Sequence, residues 1–176
     1  IIMSNNEARL FNREAGDMSF WTSNTERMRI LSTGGLTFNG DTAQVNALDD
    51  YEEGNFSPTI VGSSSAGTIS YQYQVGTYIK IGNLVHIRAY VAWTAATGTG
   101  VLYLRNLPYS SSINGSYGGP AINYWHNLTQ AGAGVSALWG IGNDYIYFYN
   151  VGNPSASSIS MQTSGSIIVG GAYYIP

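Results

Sequence analysis

The sequence predicts an all-β chain: a run of short strands that intertwine between copies, followed by a β-sandwich head of jelly-roll type. Three observations carry that expectation. Gly (22) and Tyr (14) are heavily used, and Ser, Thr and Asn fill most remaining positions. That mix costs a helix stability and suits strands joined by tight turns. Downstream of residue 55 apolar and polar residues alternate with the period of a strand. Charge is also divided unevenly: nine of the ten acidic residues precede Asn55, and only Lys80, Arg88, Arg105 and Asp144 carry charge after it.

With 176 residues the chain suffices for one full core, or one core and an appendage. At 44% hydrophobic and 13% aromatic it is too apolar for a disordered chain. Cysteine is absent, so stability must come from elsewhere, and oligomerisation is one route. The chain begins at Ile1 rather than Met, which suggests a piece excised from a longer protein.

In chain order, the first candidates are ARLFNRE (8–14), DMSFWTS (17–23), ERMRILS (26–32) and GLTFNGD (35–41), with Gly16, Gly34–Gly35 and Asn39–Gly40 at turn positions. Each run is too short and too polar to bury a face alone. Such pieces become stable when identical chains wrap together and donate strands to a shared core. The acidic, Gly- and Pro-containing run DDYEEGNFSP marks a boundary near residues 49–57 and reads as a solvated connector. Residues 1–55 are therefore assigned to a collar with its connector, and 56–176 to the head.

In the head, Leu84–Trp93 sets Val85, Ile87, Ala89, Val91 and Trp93 on one face against His86, Arg88 and Tyr90 on the other. Asp144–Asn150 sets Tyr145, Tyr147 and Tyr149 against Ile146 and Phe148. Further strands are expected at Thr59–Gly62, Thr68–Gln74, Thr77–Ile81, Val101–Leu107, Val135–Ile141, Ser157–Gln162 and Ser166–Tyr174. Eight to ten short strands at this spacing suggest a sandwich or jelly roll. Trp93 and Trp139, on apolar alternations, belong in the core.

Several function classes are disfavoured. The net charge of −3 argues against a phosphate-binding surface, so no nucleic-acid partner is expected. A run of 18 apolar residues is missing, and no membrane insertion is expected. After Glu53 the head holds one carboxylate, Asp144, too few for paired-carboxylate hydrolysis. His86 and His126 lack companions for a metal set, and no G-x-S-x-G elbow or phosphate loop occurs. The expectation is a non-enzymatic chain with no cofactor and no metal.

The segment from Asn24 to Ile60 resembles one recurring in bacteriophage tail-fibre and related virion structural proteins. The resemblance lies in Thr25–Ile30 (TERMRI), Gly35–Ala43 (GLTFNGDTA), Leu48–Gly54 (LDDYEEG) and Phe56–Ile60 (FSPTI), with Thr77–Val91 and the Leu107-Pro108-Tyr109 turn adding to it. It implies a homotrimer, a shaft end in residues 1–55 continuous with an upstream fibre shaft, and a receptor-binding head that adheres to a host cell surface. The implied location is the virion, at the distal end of a tail fibre. Many members carry a self-cleaving chaperone after the fibre; here the sequence ends at AYYIP, so that domain is removed or was never present.

For such a head a host-surface polysaccharide is the expected receptor. Sugar rings stack on aromatic side chains and their hydroxyls bond to Asn, Asp, Ser and Tyr, and Tyr and Trp supply wide contact at small entropic cost. The long, weakly patterned stretch Ser112–Gln130 supplies Tyr117, Tyr124, Trp125, His126 and Asn127, and the alternation in Asp144–Asn150 supplies Tyr145, Tyr147 and Tyr149. Each set has a structural reading beside the ligand-binding one. Tyr124 and Trp125 fit a core or a trimer interface equally well, and the tyrosine stripe fits cross-strand or inter-protomer packing. The alternative function is a purely structural virion module, for trimerisation or capsid decoration, without a ligand.

Overall fold

The computed structural model describes residues 2–4, 7–113, 118–128, 134–151 and 157–176. The chain is all-β and divides into two compact units, Ile1–Tyr51 and Glu52–Pro176.

In the first unit, β1 (Ile2–Ser4) pairs antiparallel with β2 (Glu7–Arg9), and β3 (Met18–Thr22), β4 (Thr25–Ile30) and β5 (Leu36–Phe38) form an antiparallel meander. The β3–β4 hairpin closes on Ser23 and Asn24, both left-handed (φ 50° and 54°), the geometry of a two-residue turn that follows strand twist. Gly34 and Gly35 (φ 97° and 88°) turn β4 into β5. The strand expected over residues 8–14 is cut short. Asn12 accepts the Glu14 N–H at 3.1 Å and donates to the Gly16 carbonyl at 3.1 Å, so a side chain closes a turn where a ladder would have continued.

This unit buries little apolar surface: among the described residues Leu31 is its buried hydrophobic, while Trp21 and Phe38 are 59% and 50% exposed. Polar bonds hold it instead. The Arg29 guanidinium reaches Asp17 at 2.7 Å and Glu26 at 2.5 Å, and Asp17 also accepts the Ser32 N–H at 2.9 Å.

The second unit is a sandwich of two antiparallel sheets. Its strands are β6 (Tyr51–Phe56, starting on the last residue of the first unit), β7 (Thr59–Gly62), β8 (Ile69–Ile81), β9 (Leu84–Ala96), β10 (Leu102–Arg105), β11 (Ala121–His126), β12 (Gly134–Trp139), β13 (Ile146–Val151) and β14 (Gly165–Tyr174). One sheet runs β12-β13-β10-β7 and the other β11-β14-β9-β8-β6. Between them lies one hydrophobic core containing Ile60, Val85, Ile87, Val91, Trp93, Leu102, Leu104, Trp139, Ile146, Phe148, Ile167 and Val169. The alternation in β9 is observed as the sequence predicts it, and Trp93 and Trp139 are core residues. The polar ends of two buried aromatics find partners: the Trp93 indole N–H donates to the Gln162 carbonyl at 3.0 Å, and the Tyr173 hydroxyl to the Tyr109 carbonyl at 2.9 Å.

Four sequence expectations are corrected. The acidic run is connector only in part: from Tyr51 it is strand β6, paired onto the edge of the five-stranded sheet, with Tyr51, Glu52 and Glu53 still exposed. Thr68–Gln74 and Thr77–Ile81 are one strand, not two. Gly76 lies within it, and a Cβ there would meet the Phe56 ring at 2.5 Å, so this glycine clears space for an aromatic and makes no turn. Ser157–Gln162 forms no strand but a strap making single bridges at Ser158 and Ser160, with Ile159 fully buried. The unpatterned stretch Ser112–Gln130 contains β11, whose bulge between Ile122 and Tyr124 breaks the alternation a sequence reading looks for.

Candidate ligand-binding face

The outer face of the four-stranded sheet is built by strand parity. Ile146 and Phe148 point into the core with no exposed surface, so Tyr145, Tyr147 and Tyr149 point outward, half-buried. Leu102 and Leu104 are likewise fully buried and turn Tyr103 and Arg105 to the same outer face. Pairing of β10 with β13 sets Tyr103 opposite Tyr147, and pairing of β12 with β13 sets Leu138 opposite Tyr147 and Ser136 opposite Tyr149.

The side chains on this face are held in place by one another. The Tyr103 and Tyr145 rings stack with centroids 4.5 Å apart and planes 14° from parallel. The Arg105 guanidinium lies 5.5 Å from the Tyr145 ring centre and donates to the Asp144 carboxylate at 3.0 Å. Burial pushes the Tyr145 hydroxyl above its ordinary pKa, with Tyr103 adding to that effect and Arg105 opposing it. Beside these rings is an open groove of about 400 Å³, lined among others by Val101, Ile141, Tyr147 and Ser158.

The residues predicted on the other stretch lie elsewhere. Tyr124 pairs with Ile168 and His126 with Ser166, which places both on the outer face of the five-stranded sheet; Tyr124 is 48% exposed. Trp125 pairs with the fully buried Ile167 and so sits on the core side at the edge strand. Asn127 has a left-handed backbone (φ 57°) just past β11, and its side chain reaches the Ser164 hydroxyl at 3.5 Å. His126 and Asn127 line a second groove of about 370 Å³ with Tyr90, Thr94 and Ser166. Tyr117 lies outside the described residues. The tyrosine stripe therefore lies on the opposite face of the sandwich from Tyr124 and His126, with Trp125 turned to the core side, and these residues form no single site.

Sequence reasoning missed Tyr103, Arg105 and Asp144 as parts of the tyrosine face. The signal for the first two was present, because the alternation in Val101–Leu107 already turns them away from Leu102 and Leu104. Their adjacency to residues some forty positions later depends on which strands pair, and alternation says nothing about that.

Elsewhere in this unit, Glu52 accepts hydrogen bonds from the hydroxyls of Tyr78 and of Tyr109, the latter at 2.5 Å. The bond to Glu52 holds the Tyr109 hydroxyl above its ordinary pKa. Among the described residues no group of three or more His, Asp or Glu side chains is placed to hold a metal ion.

The class these features define is a two-sheet antiparallel sandwich with an aromatic outer face. No family model matches the chain, and no curated protein matches it. Among solved structures it is similar to the Dettilon tailspike protein, with a TM-score of 0.58 and 19% identity over 70% of this chain. The match takes in 24% of that protein's chain. At this identity the likeness is one of fold.

Proposed function

We propose that the chain is a receptor-binding module of a phage tail fibre or tailspike, a homotrimer that adheres to a host-surface glycan without catalysis. The carrying observation is the outer face of the four-stranded sheet, where tyrosines are displayed on strands anchored in the core. The tailspike-like fold supports placing such a face on a phage tail.

Two observations support self-association. Among its described residues the first unit buries one hydrophobic side chain, Leu31, and exposes Trp21 and Phe38, as expected of a shaft end completed by other copies. In the head, the outer face of the five-stranded sheet carries Tyr73, Val75, Ile79 and Ile81, each between 43% and 56% exposed, beside Tyr124. On this reading Tyr124 and His126 face another protomer and the tyrosine stripe faces the host. Three weak glycan contacts on one tip gain avidity of about 10²–10⁴-fold over a single one. Absence of catalysis is supported by the engagement of Glu52 with two tyrosines and of Asp144 with Arg105.

Competition for adsorption tests the proposal. Purified protein is added to cells together with particles that carry it, and adsorption should fall as protein concentration rises. Undiminished adsorption at saturating protein overturns adhesion. Native mass should correspond to three 18.9-kDa chains; a monomer overturns the trimer. Release of oligosaccharide from host polysaccharide would overturn the non-catalytic reading.

A further inference from the structure

We infer that the groove on the four-stranded sheet takes an uncharged glycan, and that the Arg105–Asp144 pair, set beside the Tyr145 ring that lines the groove, reads neighbouring hydroxyls of that glycan. This rests on the adhesion reading and adds the chemical class of the ligand and the residues that select it.

The argument begins with charge. From Asn55 onward the sequence carries four charged side chains, and two of them, Arg105 and Asp144, meet at the margin of this face. Their side chains are 45% and 38% exposed, so both remain open to a ligand. The pair is neutral as a unit. An acidic sugar drawn to Arg105 would bring its carboxylate against Asp144, and like charges at such separations repel. A sugar with adjacent hydroxyls meets no such conflict, since a hydroxyl accepts from the guanidinium while its neighbour donates to the carboxylate.

The remainder of the face fits the rest of such a ligand. Tyr147 and the stacked Tyr103–Tyr145 pair give a sugar's apolar C–H surface aromatic rings to lie against, and the tyrosine and Ser158 hydroxyls bond at its edge. The stacking fixes two rings before any ligand arrives, which lowers the ordering cost of binding. A peptide is less well served, because this face is an open groove whose sides offer no closed apolar slot for a side chain.

The test uses the whole chain and the cells to which the particle adsorbs. Cells are pretreated with periodate, which cleaves adjacent diols, with protease, or with carbodiimide and an amine, which neutralises carboxylates. Periodate should abolish binding of the protein, while protease and carboxylate neutralisation should leave it unchanged. Loss on protease treatment indicates a protein receptor and overturns the inference, as does loss on carboxylate neutralisation.

Variants locate the site. Tyr147→Ala should weaken binding about tenfold or more while native mass still reads the wild-type oligomer. Asp144→Asn, nearly isosteric and safe for folding, should weaken wild-type binding and raise retention on immobilised alginate, a polyuronate. If the wild-type protein blocks adsorption but Tyr147→Ala and Asp144→Asn block it equally well, adhesion stands and this site is wrong. If the wild-type protein blocks nothing, adhesion itself has failed and the inference falls with it.

Discussion

The two units of the chain are built by different physics. The head closes on itself: each face of its strands has an assigned side, and side chains as large as Phe148 and Trp139 are buried in the sandwich. The first unit has strands, turns and an ion-paired knot at Arg29, yet it leaves Trp21, Phe38 and Leu10 half exposed or more. Regular secondary structure is thus no sign of an independent core. A domain's stability comes chiefly from apolar burial, and among the described residues the first unit buries one hydrophobic side chain, Leu31.

The largest effect that sharpens this contrast is in the head core. Phe148→Ala removes a ring with no exposed surface and should cost about 3–5 kcal/mol, read as a lower urea midpoint by circular dichroism. Trp21→Ser, a change of similar size in the first unit, should leave the midpoint of the head within about 0.5 kcal/mol and, on the proposed trimer, instead reduce the trimeric fraction in native mass. Equal losses of head stability from the two variants would break the contrast.

A smaller effect is expected where the head begins. Glu52→Ala leaves the Tyr78 and Tyr109 hydroxyls without the carboxylate they share, and should cost about 1 kcal/mol. The change should appear as faster amide exchange in β6 with β9 and β14 unaffected. Uniform acceleration through the head would mean that β6 is not the local edge its pairing implies.

How much of this was legible in the sequence follows the same division. In β9 and β13 alternation was enough, because one face is buried and the other wet; Val85, Ile87 and Phe148 could be assigned inward without knowing any partner strand. The turns at Gly34–Gly35 and Asn39–Gly40 were legible because a left-handed backbone demands those residues. The break expected between Gln74 and Thr77 does not exist, because Gly76 there makes room for the Phe56 ring within one continuous strand. The bulged strand β11 was hidden because the extra residue shifts the parity after Ile122. Half of the tyrosine face, Tyr145 to Tyr149, was read from one strand. Its companions Tyr103 and Arg105 and the role of Asp144 required knowing that β10 lies beside β13, and such pairing is set by the whole fold. For the same reason the sequence placed Tyr124 and Tyr147 in one list, although they point away from opposite sheets.

The smallest expected effect is a response to acid confined to the first unit. Asp17 is held below its ordinary carboxylate pKa chiefly by the Ser32 backbone N–H and then by Arg29, and Glu26 is lowered by its bond to Arg29. A carboxylate whose pKa is lower folded than unfolded stabilises the fold fully above its ordinary value and loses that contribution as pH falls through the folded one. The ordinary values are 3.8 for Asp and 4.5 for Glu, so this part of the stability is intact near neutrality and weakens below about pH 4.5. Exchange of the Ser32 amide reports on it directly, because that N–H donates to Asp17. On acidification Ser32 and the β3–β4 amides should lose protection while core amides of β9 and β14 keep theirs. Arg29→Gln should remove the share of this pH dependence that Glu26 carries and only reduce that of Asp17, whose bond from the Ser32 N–H remains. Loss of head protection before that of Ser32 would invert the order of stability argued for the two units.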